Sequence, residues 1–177
     1  MYTGILTLFR AYFSICTFRR GPQDLPAAAA LLLLSLCLYG LSSVAMVLPA
    51  RALPAALLAG CVDTGLLLAI TWVLLHLRGV PARFRQTGTA LTGTGFLFAV
   101  ASLPLLYLRG VYGVETDAAV LVMLLVLLLV VWNIAVMAHI LRNALSAPYP
   151  MGVLLAIGYI WLINSAMTLL TPAPAAT

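Results

Sequence analysis

Along most of this chain the apolar residues neither alternate nor mark one face of a helix; they run unbroken. Five such runs, at about 25–49, 53–77, 86–108, 118–141 and 151–170, each provide the roughly 20 residues a helix needs to cross the hydrocarbon of a bilayer. Short stretches rich in Pro, Gly and Arg separate them. Connections this short force successive helices to run antiparallel, so the pattern predicts an all-α fold, a polytopic transmembrane helix bundle of five spans within residues 21–171.

The first twenty residues follow a different pattern. Leu6, Phe9, Phe13, Cys16 and Arg20 recur near a helical period, and Arg10 interrupts the apolar run. A full span over Met1 to Phe18 would carry that arginine near its middle, which costs several kcal/mol. The expectation is an amphipathic helix over residues 1–20 lying in the membrane interface. No small-residue cleavage site follows it, so it reads as a retained segment rather than a signal peptide.

Local signals refine the layout. Pro22 and Pro26 flank a turn in which Asp24 is placed to cap the helix that follows. Pro104 is expected to kink or end the third span. The longest connection on its side, 109–117, contains Tyr112, Glu115 and Asp117. Residues 172–177, rich in Pro and Ala, read as a disordered tail.

Composition agrees with lipid as the main solvent. Hydrophobic residues make up 64% and charged residues 7%, against about one half and one quarter in soluble domains. The net charge of +5 comes from arginine alone. Those arginines sit beside apolar runs rather than in one patch, which points to topology and anionic lipid headgroups and away from nucleic acid. In the five-span layout Arg10, Arg19, Arg20, Arg78, Arg83, Arg85 and Arg142 share one side, while Arg51 and Arg109 share the other. The positive-inside rule then predicts a cytoplasmic N-terminus and an outside C-terminus.

Candidate chemistry is sparse. Asp63 is the one acidic residue inside a span, and at that depth a carboxylate must be neutral, paired or hydrated. Counting residues from the span ends puts Thr64, Asn164, Ser42 and Ser43 at a similar depth. This cluster reads either as a proton or ion relay or as a protonated acid bonded between helices. Arg83, Arg85, Gln86 and Thr87, where guanidinium groups meet free amides at a helix N-terminus, form a candidate site for a lipid phosphate.

Gly88, Gly93 and Gly95 alternate with Thr87, Thr89, Thr92 and Thr94, and small residues of this kind let helices approach closely. His76 and His139 fall at the same end of their spans without a companion carboxylate or cysteine, and Cys16, Cys37 and Cys61 have no paired spacing. Neither a metal site nor a disulfide framework is expected. No nucleophile frame, zinc-protease motif or phosphate-binding loop occurs, so catalysis and a cofactor are not expected either.

The five spans, the short loops and a third span opening Arg-Phe-Arg-Gln-Thr-Gly-Thr-Ala-Leu-Thr-Gly-Thr-Gly resemble the bacterial relatives of the Yip family of five-span membrane proteins. In eukaryotes that family works in membrane traffic and binds small GTPases through a longer cytosolic N-terminal region. The resemblance implies a bacterial inner-membrane bundle that binds lipids, a second copy of itself or another membrane protein, as a scaffold or accessory subunit. The alternative, carried by Asp63, is a small proton-coupled transporter or permease.

Overall fold

The computed structural model describes residues 2–112 and 116–170, and every regular element among them is helical. The helices are α1 (Tyr2–Cys16), α2 (Ala29–Val47), α3 (Leu53–Leu77), α4 (Phe84–Tyr112), α5 (Asp117–Leu145) and α6 (Tyr149–Leu170). Five of these, α2 to α6, are long and apolar enough to cross a membrane. Glu115 and the tail at 172–177 lie outside the described residues.

Helix boundaries follow local chemistry. The Asp24 carboxylate accepts a bond from the Gly21 amide at 2.8 Å, so it caps its own short turn and not the span after it. Beyond Pro26 the backbone stays extended, and α2 starts at Ala29, four residues later than the apolar run. Pro104 does not end α4, which continues eight residues past it. A proline within a helix forfeits one backbone bond, and apolar surroundings favour keeping the remaining ones. Thr116 caps α5 by accepting from the Ala119 amide. At the other end of α5, Ser146 in the left-handed region (φ 50°) turns the chain into α6.

The central helix is α4, which packs against α1, α2, α3 and α5, while α6 packs on α5 and α3. Its first half explains the Gly/Thr pattern. Thr87, Thr89, Thr92 and Thr94 are all buried, and each hydroxyl donates to the carbonyl four residues back, at 2.7 to 2.9 Å. Threonine satisfied in this way presents a methyl group and no open donor to its neighbours. An added Cβ on Gly93 would collide with the Tyr12 ring, on Gly95 with the Tyr39 ring, and on Gly88 would press Leu32 at 3.1 Å.

Helix α1 packs on the bundle, chiefly against α4. Tyr12 rests on Gly93 and Phe9 meets Phe96 edge to face at 6.3 Å, so α1 runs lengthwise and antiparallel to α4. The Tyr12 hydroxyl bonds Ser35 of α2 at 2.6 Å, and Trp132 Nε1 of α5 donates to the Cys16 carbonyl at 2.9 Å. Tyr2 lies ten residues before Tyr12, about 15 Å farther along the helix. The start of α1 therefore points away from the bundle end that holds Arg20, Arg83 and Arg142.

That basic end is the tightly packed half of the bundle. Val136, Ala138, Ile140, Leu141, Ala144 and Leu145 of α5 are buried there, whereas Leu121, Met123, Leu124, Leu127 and Leu128 nearer its start are exposed.

Candidate functional site

In the loosely packed half the helices leave a cavity of about 480 Å³, walled by residues of α2 to α6. Its walls are mostly apolar, and its polar groups are few and convergent. Asp63 of α3 takes bonds on both carboxylate oxygens, from Ser43 Oγ of α2 at 2.7 Å and from the Tyr159 hydroxyl of α6 at 3.0 Å. The Tyr39 side chain, one helical turn before Ser43, lies within interaction range of Tyr159, Asp63 and Ser43. Three helices thus meet at one carboxylate, and Ser102, Asn133 and Asn164 line the same cavity from α4, α5 and α6.

The residues expected around Asp63 divide by helical geometry. Ser43 faces Asp63, but Ser42 is turned about 100° away, is buried and donates to the Tyr39 carbonyl at 2.7 Å. Thr64, adjacent to Asp63, points instead towards Gly40 and has a buried hydroxyl with no hydrogen-bond partner among the described residues. Asn164 reaches the cavity wall, and its amide donates to the Ile160 carbonyl at 2.8 Å. Tyr39 and Tyr159 were missing from the expected cluster. A tyrosine deep in a span rather than in the aromatic belt was the signal that could have found them.

Two members of the expected anion site, Arg83 and Gln86, make hydrogen bonds to other parts of the bundle. Arg83 Nη1 donates to the Ala144 carbonyl at 2.8 Å, the Ser146 hydroxyl at 3.0 Å and the Asn143 carbonyl at 3.4 Å, so it caps the C-terminus of α5. Gln86 donates to the Leu25 carbonyl at 2.8 Å and fastens the first connector. Thr87 is buried, while Arg83 and Arg85 are both exposed. The last carbonyls of a helix are strong acceptors for guanidinium, and here those of α5 lie within reach of Arg83.

The histidines do not meet. His76 stacks on Trp72 at 5.0 Å, while His139 contacts the Arg20 carbonyl, Asn143 and Phe18. Among the described residues no group of three His, Cys, Asp or Glu side chains is arranged to hold a metal ion.

No family model matches the chain, and neither a curated protein nor a solved structure does.

Proposed function

We propose that this chain is a non-enzymatic, multi-pass membrane protein that binds a lipid-like amphiphile within the bilayer, in the cavity at Asp63. One observation carries the reading: a cavity of about 480 Å³ at membrane depth has apolar walls and one carboxylate among hydroxyls and amides. Ligand sites commonly combine an apolar lining with a few convergent polar groups. Asp63 takes a cationic or hydrogen-donating head, and the walls take the tail. The resemblance to the Yip family, and with it a scaffold role towards other membrane proteins, rests on the five-span layout.

In this reading the basic end faces the cytoplasm of a bacterial inner membrane. Arg19, Arg20, Arg78, Arg83, Arg85 and Arg142 lie at that end, against Arg51 and Arg109 at the other. The test is equilibrium binding of a fluorescent alkylammonium amphiphile to the purified protein. Ser102→Phe, which fills the cavity, abolishes binding, and Asp63→Asn weakens it about tenfold through loss of a charge-assisted bond. Unchanged binding in both variants sinks the proposal.

A second reading is supported by the carboxylate bridged between two hydroxyls, an arrangement suited to a proton relay. It requires proton flux in proteoliposomes that disappears in Asp63→Asn; flux equal to that of the wild type excludes the relay.

A further inference from the structure

Four described polar residues of α1 and the turn after it fall on one face. Thr7, Arg10, Ser14 and Thr17 are spaced three or four apart, while Tyr12, Ile15 and Cys16 are buried against the bundle. The serine and threonine hydroxyls near the helix end are committed locally: Ser14 donates to the Arg10 carbonyl at 2.7 Å and Thr17 to the Phe13 carbonyl at 3.1 Å. The charges are what this face offers to something outside it.

The depth of that face is unusual for an arginine. Phe9 is fixed against Phe96, which lies twelve residues into α4, about 18 Å from its start. Arg10, next in sequence, is exposed there. A guanidinium at apolar depth needs an anionic or well-hydrated partner.

The end of α1 brings a second one. Phe18 adopts the left-handed conformation (φ 60°), and the amides of Arg19 and Arg20 fold back onto the Ser14 carbonyl at 2.9 and 3.3 Å. As a result Arg20 borders the same groove as Arg10, a cavity of about 590 Å³. Phe9, Phe13 and Leu97 supply its apolar wall, and among the described residues no carboxylate lines it.

We infer that this groove binds an anionic phospholipid, with the phosphate held by Arg10 and Arg20 and an acyl chain laid over Phe9, Phe13 and Leu97. Two guanidinium groups complement one phosphodiester, and the exposed rings complement a chain that free phosphate lacks. The site is separate from the Asp63 cavity and stands whether or not that cavity takes a ligand.

The experiment is native mass spectrometry of the full chain in neutral detergent, titrated with dioleoylphosphatidylglycerol or dioleoylphosphatidylcholine. Phosphatidylglycerol is retained preferentially. Arg10→Gln and Arg20→Gln each weaken its binding about fivefold and leave phosphatidylcholine unchanged. Arg109→Gln, the same charge change at the opposite end, has no effect, and excess inorganic phosphate does not displace the lipid. Because Arg20 lies outside the helix, its variant reports on the site even if Arg10→Gln fails to fold. Equal retention of the two lipids, an equal loss in Arg109→Gln, or displacement by inorganic phosphate each overturns the inference.

Discussion

The two halves of the same helices differ more than the five spans differ from one another. At the basic end, the run from Thr87 to Thr94 is buried on every side, and the last turns of α5 are buried with it. Towards the other end, α4 becomes half-exposed, α5 presents leucine and valine around most of its surface, and the Asp63 cavity opens. The composition of the two regions explains the contrast. Between helices in lipid, dispersion contacts must replace the hydrophobic effect, and those contacts grow with small residues that let backbones close up. Gly88, Gly93, Ala138, Ala144 and Gly152 lie in the first half, and the Val/Leu block of α5 lies in the second. Bulky side chains all round a helix keep its neighbours at a distance and leave room for a cavity.

The contrast can be broken most severely at Gly152. A Cβ there would stand 2.5 Å from the backbone oxygen of Ala138, and backbone cannot swing aside. Gly152→Leu is expected to cost roughly 3 kcal/mol, the upper end for overpacking, read as a large fall in melting temperature in a single detergent. Gly93→Leu comes next, at about 2 kcal/mol, because the obstacle is the Tyr12 ring. Its loss of stability should be accompanied by detachment of α1, seen as faster proteolysis after Arg10.

In the open half the effects shrink. Tyr159→Phe removes one of the two bonds to Asp63 and is expected to cost about 0.6 kcal/mol, the average for hydrogen bonds between membrane helices. Leu125→Ala should cost less than about 0.5 kcal/mol, since Leu125 is 40% exposed and leaves no enclosed cavity behind. If thermal unfolding shows Leu125→Ala to be as damaging as Gly93→Leu, the seam has been put on the wrong helix.

How much of this was legible in the sequence depended on the range of the interaction. Helix existence and span number follow from unbroken apolar runs, and α3 occupies the same residues, 53–77, in both. The close packing at Gly93 and Gly95 was also readable, because glycine facing lipid gains nothing. The seat of α1 was not. Its amphipathic spacing is local, and the contacts that hold it against the other helices come from Ser35, Gly93 and Trp132, far along the chain. Arg83 shows the same limit, since an arginine before a helix suits a phosphate or another helix's carbonyls equally well, and only the fold brings Ala144 to it. Around Asp63, depth counting found Ser43 but could not separate it from Ser42, which differs by rotation about the helix and not by depth.

The most direct test of an open, ligand-binding half beside a closed one is thiol labelling in a background carrying Cys16→Ala, Cys37→Ala and Cys61→Ala. Two single cysteines are compared in α5: Asn133→Cys, which lines the cavity, and Val136→Cys, whose native side chain is 1% exposed. A maleimide is expected to react at position 133 and not at 136, and the alkylammonium amphiphile is expected to block the reaction. Equal labelling at the two positions, or labelling at 133 that the amphiphile leaves unchanged, would contradict the account.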